Sequence, residues 1–159
     1  GVYFIPAFTG LGAPHWCPQA RAMIAGLTRE SSKAHIVRAA LEAQAYQTLD
    51  LLRAMQADTG IYPKRLRVDG GLVANGFVCQ FLADMLQIPI DVPDVTETTA
   101  LGAAYLAGLS VGVYKSMTDI AQQNCIRKTY MPAMAAMERG RLYGEWTDVL
   151  NGLTAKFDR

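Results

Sequence analysis

Arg67-Val68-Asp69-Gly70-Gly71-Leu72-Val73-Ala74-Asn75-Gly76 reads as a short apolar strand that runs into paired glycines and then directly into a helix. Gly70 and Gly71 lack β-carbons, so the chain can turn sharply there and a phosphate or ribose can come close to the backbone. The helix behind them presents N–H groups without intrahelical acceptors and the positive end of its dipole. Gly70, Gly71 and Asn75 are therefore candidate nucleotide-binding residues. Asn75, expected on the first turn of that helix, carries an amide that both donates and accepts, as a ribose or purine edge requires. The same residues admit a structural reading. A strand, a glycine turn and a helix occur in many α/β proteins with no ligand, and Asn75 is equally suited to capping a helix over Phe77 to Leu86.

Outward from this turn, strand and helix patterns alternate. Val2 to Phe8 reads as a strand in which Pro6 imposes an edge or a break, followed by a glycine- and proline-rich loop from Thr9 to Pro18 and a short strand from Ala22 to Leu27. Ser31 or Ser32 then caps a helix from Lys33 to Asp58 that Gly60 stops, with Val37, Leu41, Ala45, Leu49, Leu52 and Met55 as its apolar stripe. Leu66 to Val68 and Ile88 to Val92 read as strands. Asp94 and Glu97 have capping-box spacing ahead of a small-residue helix from Thr98 to Leu109, where Gly102, Ala103, Ala104, Ala107 and Gly108 suit close packing. Thr96, Glu97, Thr98 and Thr99 are expected to cap that helix. A helix near Thr118 to Asn124, an extended Ile126 to Met131 and a final helix with Leu142, Trp146, Val149, Leu150 and Leu153 on one face complete the chain. The pattern predicts an α/β fold with a mixed or parallel sheet flanked by helices.

With 159 residues and 51% hydrophobic composition the chain can bury a core of its own. It begins on Gly1 with an immediate strand-like run, and reads as a piece of a longer two-domain protein: residues 1–112 form the sheet-bearing domain and 113–159 a helical extension packed on it. Fifteen basic and fourteen acidic residues leave a net charge of +1, and no basic cluster is interleaved with aromatics, which argues against nucleic acid. No apolar stretch approaches the roughly 20 residues of a membrane span, and no signal-peptide pattern opens the chain. Cys17, Cys79 and Cys125 are odd in number and scattered, as expected of reduced cytoplasmic thiols and not of a disulfide frame or metal site.

FTGLGAPHW (Phe8 to Trp16), AMIAGLTRESSKAHIVRAALE (Ala22 to Glu42), RVDGGLVANG and TETTALGAAYLAGL (Thr96 to Leu109) together resemble, in order and spacing, the C-terminal part of the FGGY carbohydrate kinases. That family belongs to the actin, sugar kinase and Hsp70 superfamily, with its ribonuclease H-like fold. Phe8 to Pro14 is more particular to the branch that phosphorylates glycerol. The resemblance implies a parent enzyme using ATP and magnesium, binding glycerol through an N-terminal portion outside this chain, cytoplasmic and homo-oligomeric. It places Gly71 at the family's nucleotide-contacting glycine and Asn75 at its adenosine-contacting asparagine. It assigns no catalytic residue to this chain, which alone is expected to be inactive, because the family's catalytic aspartate lies upstream. Asp69 is then expected to orient the turn by accepting backbone N–H groups.

His15 and His35 are expected to be structural, and Cys17 departs from the acidic residue usual after the tryptophan. Glu138 falls where some relatives carry a regulator-binding glutamate, but its neighbours differ, and a solvated residue in the first turn of the last helix is expected. Two other readings stand beside this one: a kinase for another polyol or sugar, and a non-catalytic nucleotide-sensing or partner-binding module.

Overall fold

In the computed structural model, which describes residues 1–123 and 125–157, the first strand stops where Pro6 removes a ladder donor. β1 (Tyr3–Ile5) pairs antiparallel with β2 (Met23–Ala25), Phe4 opposite Ile24. A second, three-stranded sheet has the order β3 (Leu66–Arg67), β4 (Ile90–Pro93), β5 (Ile126–Tyr130). β3 and β4 are parallel and β4 and β5 antiparallel, so the expected mixed sheet is present. Among the described residues five helices accompany the sheets: α1 (Lys33–Thr59), α2 (Gly76–Leu86), α3 (Thr98–Ser110), α4 (Met117–Ala121) and α5 (Ala136–Thr154). α2 is the crossover between the parallel strands, as the parallel connection demands. The expected helix near Thr118 is α4, started by the Ser116 hydroxyl accepting from the Asp119 N–H; the far end proposed for it, Asn124, lies outside the described residues.

α1 is roughly 40 Å long at 1.5 Å per residue. Its start uses Ser32, whose N–H donates to His35 Nδ1 at 3.0 Å, so His35 is a capping residue. Its end is Gly60, at φ +70°, with its N–H on the Gln56 carbonyl. The apolar stripe is only partly as expected. Ala45, Leu49 and Leu52 are buried, but Val37 and Met55 are 58% and 51% exposed. Hydrophobic periodicity missed a second row, Glu42, Ala43, Tyr46 and Asp50, because two of its four members are carboxylates.

That second row forms the centre of the core. Tyr46 stacks on Trp146 of α5 at 5.0 Å and meets Phe81 of α2 edge-on at 5.5 Å, the offset geometries that aromatic quadrupoles favour. Leu142, Trp146, Leu150 and Leu153 bury the expected face of α5. Below Trp146, the carboxylate of Asp50 accepts from Trp146 Nε1 at 3.2 Å and from the Tyr143 hydroxyl, and lies 3.2 Å from His15 Nε2. One carboxylate thus ties α1, α5 and the Thr9–Pro18 loop together, and His15 is structural. Asp50→Asn keeps the volume but turns an amide donor toward other donors, and should cost about 1–3 kcal/mol. Urea unfolding of the protein carrying this chain measures it; an unchanged midpoint would show that the network contributes nothing.

Two expectations for α3 fail. Glu97 stands at the N-cap, but neither it nor the neighbouring threonines supplies a side-chain cap; the Asp94 N–H goes instead to the Cys125 carbonyl at 3.1 Å, which directs this segment toward β5. Of the small residues, only Gly108 is buried, where a β-carbon would come within 2.7 Å of the Tyr114 ring. Ala103, Ala104 and Ala107 are exposed. Their small size is not used for packing among the described residues.

Candidate functional site

The parallel pairing of β3 with β4 delivers the chain to the turn. The Val68 N–H donates to the Asp91 carbonyl and the Gly70 N–H to the Thr96 carbonyl, both at 3.0 Å, so strand order persists up to the first glycine. Gly70 then adopts φ +84°, ψ 176°, a region essentially restricted to glycine. The positive φ sits at Gly70 alone of the two. Replacing Gly70 by alanine should strain the turn by about 1–3 kcal/mol, whereas Gly71→Ala should leave stability within experimental error. Thermal unfolding of the two variants compares them, and equal midpoints would contradict this conformational assignment.

The helix does not start directly after the glycines, as the sequence suggested. Gly71–Ala74 forms a 3₁₀ turn closed by Val73 N–H on the Gly70 carbonyl (3.3 Å) and Asn75 N–H on the Leu72 carbonyl (3.1 Å), and α2 begins only at Gly76. The extra turn has a packing cause. Val73 points inward against Cys79 and Val92, and the Cys79 thiol donates to the Val73 carbonyl at 3.4 Å. Burial pushes that thiol's pKa up, so Cys79 is a neutral donor fixing the turn. No sequence motif announced it; its spacing of six from Val73 has meaning only once the 3₁₀ turn is known.

The geometry leaves polar groups facing out. Among the described residues, the N–H groups of Gly71 and Leu72 have no backbone acceptor, and an added β-carbon at Gly70 or Gly71 would meet no atom within 4 Å. Asn75 is the N-cap of α2, not a first-turn residue: its Oδ1 accepts from the Phe77 N–H at 3.0 Å. Among the described residues its amide nitrogen has no partner. The capping and ligand-binding readings therefore use different atoms of one side chain and are compatible. Gly70, Gly71 and Asn75 lie on one continuous turn whose outer surface is open.

Asp69 does not play its expected part. It is exposed and accepts no hydrogen bond among the described residues; the turn is already held by Val73, Cys79 and the strand ladder. It borders a shallow pocket with Arg67, Pro93 and Thr98 beside the turn. The carboxylate that does organise this region is Asp91, which sequence reasoning passed over. It is 1% exposed and accepts from Arg65 Nη1 at 2.6 and 2.7 Å and from Thr129 Oγ1 at 2.6 Å. Arg65, more than any other group, holds its carboxyl below the ordinary range.

The remaining candidates lie elsewhere. Glu138 is exposed in the first turn of α5 and pairs with Arg141, Oε1 to Nη2 at 2.7 Å, as a solvated residue. Cys17 and Cys79 are buried, Cys125 is exposed, and all three are free. No set of three His, Cys, Asp or Glu side chains is placed to hold a metal ion, and no helix is long and apolar enough to cross a membrane, among the described residues.

Residues 1–111 match the C-terminal domain of the FGGY family of carbohydrate kinases. The chain is 54% identical over 155 residues to a glycerol kinase of Nitrosomonas eutropha, covering 96% of this chain and 30% of that protein. It is 55% identical over 150 residues to glycerol kinase 1 of Clostridium tetani, covering 94% and 30%. In structure it resembles Plasmodium falciparum glycerol kinase with ADP, with a TM-score of 0.83, 36% identity, and 96% of this chain and 30% of that one covered. The xylulose kinase of Lactobacillus acidophilus, ligand bound, follows at a TM-score of 0.81 and 27% identity, covering 98% and 32%. The chain spans about 30% of the length of the curated relatives it matches. By fold, by the turn that carries Gly70 and Gly71, and by these matches, the chain belongs to the FGGY family of carbohydrate kinases.

Proposed function

We propose that the protein carrying this chain transfers the γ-phosphoryl group of ATP to glycerol, giving glycerol 3-phosphate, and that this chain forms the ATP-side wall of the cleft. The observation that carries the reading is the open turn itself: two glycines with empty space above them and, among the described residues, two N–H groups without acceptors beside an asparagine whose amide nitrogen has no partner. Relatives named glycerol kinase at over 50% identity and a structural neighbour solved with ADP support the substrate pair.

On this reading the Gly71 and Leu72 N–H groups donate to phosphate oxygens, and Asn75 Nδ2 donates to the ribose or purine edge while Oδ1 keeps α2 capped. Magnesium, which would neutralise phosphate charge when bound, is held in such kinases by one or two carboxylates together with the phosphates and water; among the described residues no three His, Cys, Asp or Glu side chains are grouped to hold it by themselves. Phosphoryl transfer depends on positioning and charge neutralisation, and the share of this chain is positioning. The catalytic base and the glycerol pocket belong to other parts of the protein. Residues 1–112 and 113–159 act together as the nucleotide-binding domain and not as a sheet with a helical extension, because β5 completes the sheet of β3 and β4 and Trp146 sits in the shared core. The whole protein is a cytoplasmic homo-oligomer.

The test is ATP-dependent phosphorylation by the full-length protein, offered glycerol, xylulose and gluconate separately. Glycerol should be preferred by at least about tenfold in kcat/KM, a difference of ~1.4 kcal/mol in transition-state binding. A preference for either sugar substrate would reassign the substrate, and ATP binding without any turnover would favour the non-catalytic module.

A further inference from the structure

A second cleft, of about 390 Å³, lies at the far end of α2 from Asn75, roughly 16 Å away along that helix at 1.5 Å per residue. Arg53 and Gln56 of α1, Tyr62, Leu86 and Ile88 at the end of α2, and Arg139 of α5 line it. The Tyr62 hydroxyl donates to the Leu86 carbonyl at 3.0 Å, fixing the phenol as part of the wall. Both guanidiniums lie close enough to that phenol to offset part of the upward push that burial gives its pKa.

Neither arginine forms an ion pair among the described residues. The nearby carboxylates are committed elsewhere: Asp50 to Tyr143, Trp146 and His15, Glu138 to Arg141, and Asp84 to the Ala133 and Met134 N–H groups. Arg53 lies instead over the Tyr143 ring, 4.3 Å from its centre. Two guanidiniums from different helices therefore share one cleft without a counter-ion. A ligand carrying two negative charges can answer both cations, and their planar forks match phosphate oxygens. The Leu86 and Ile88 side of the cleft is apolar and can take a short carbon body.

We propose that this cleft binds a phosphate dianion, free or as a small monoester, between Arg53 and Arg139, with the Gln56 amide as a third donor. The site is separate from the glycine turn and does not depend on the reading given to that turn. The test uses the full-length protein with glycerol and a non-hydrolysable ATP analogue at saturation, so that the cleft proposed for catalysis is filled. Inorganic phosphate, methyl phosphate and acetate are then titrated by calorimetry into the parent, Arg53→Gln, Arg139→Gln and the double variant.

Saturable phosphate binding should weaken at least tenfold in each single variant and vanish in the double variant, while the ATP analogue binds all four proteins alike. Tighter binding of methyl phosphate than of inorganic phosphate would assign the site to an ester, and equal binding to the free ion. The proposal fails if the double variant binds phosphate like the parent, if the parent shows no saturable binding, or if acetate binds as well as phosphate. Circular dichroism of each variant separates lost binding from lost folding.

Discussion

Valine at position 71 should weaken ATP binding by about a hundredfold or more, a loss of at least ~3 kcal/mol, in the full-length protein. The space above Gly71 is empty, with nothing within 4 Å of an added β-carbon, so the branched side chain fits the free protein and obstructs only what is laid on the turn. The left-handed strain belongs to Gly70, and Gly71→Val should fold normally. Asn75→Ala should cost much less. A net hydrogen bond contributes about 0.5–1.5 kcal/mol, so ATP binding should fall about tenfold at most. That variant also loses the cap on Phe77 N–H, which costs about 1 kcal/mol of stability. Asn75→Asp separates the two effects, since a carboxylate oxygen can still cap α2 but cannot donate to the nucleotide. Calorimetric titration of the folded variants with ATP and with glycerol is decisive. Glycerol affinity should stay near the parent value in all of them, and parental ATP affinity in Gly71→Val would remove the nucleotide from this turn.

The sequence told most where local chemistry alone decides. Pro6 ended β1, Ser32 and Gly60 bounded α1, and the glycine pair marked the bend after β3, because each acts through the geometry of one or two residues. The strand and helix alternation that defines the α/β class was legible for the same reason, as was the apolar face of α5. What stayed hidden depends on partners distant in sequence. Asp50, Asp84 and Asp91 look like ordinary surface acids until His15, Trp146, Ala133, Met134, Arg65 and Thr129 converge on them. The 3₁₀ turn at Gly71 was invisible because Val73 is drawn inward by Cys79 and Val92, a tertiary demand with no periodic signature. Asp69 erred in the opposite direction: an aspartate beside glycines suggested a turn-holding role that other groups already fill. At the candidate site the sequence pointed to three residues, Gly70, Gly71 and Asn75, that share one turn, but the division of labour within Asn75, one atom for capping and another left free, follows from the 3₁₀ turn that moves it to the N-cap of α2.

Removing Arg65 should destabilise the protein by about 2–4 kcal/mol near neutral pH, since a buried carboxylate loses the cation that compensates it. Asp91 is 1% exposed while the Arg65 side chain is 55% exposed, so solvent reaches one side of the pair and holds the cost below that of a fully buried ion pair. The pH dependence carries the diagnostic sign. In the parent, the Asp91 pKa is lowered in the folded state, chiefly by the hydrogen bond from Arg65. A depressed folded pKa contributes stability that is present above the unfolded value of about 3.9 and is lost as pH falls through the folded value. In Arg65→Met the carboxyl keeps its burial but not its cation, so its folded pKa should rise and its protonation should relieve the buried charge. The gap between parent and variant should therefore narrow as pH falls below neutrality toward the acid range. Asp91→Asn added to Arg65→Met should recover part of the loss, because an amide needs no counter-charge and its oxygen can still accept from Thr129. Asp91 also holds the β4 side of the pairing that leads into the glycine turn, with its carbonyl on the Val68 N–H, so the single variant should weaken ATP binding as well as stability. Urea unfolding of the full-length parent, Arg65→Met and the double variant at neutral and acid pH measures this. A gap that is the same at every pH would mean that Arg65 acts through packing of its stem and not through the charge on Asp91.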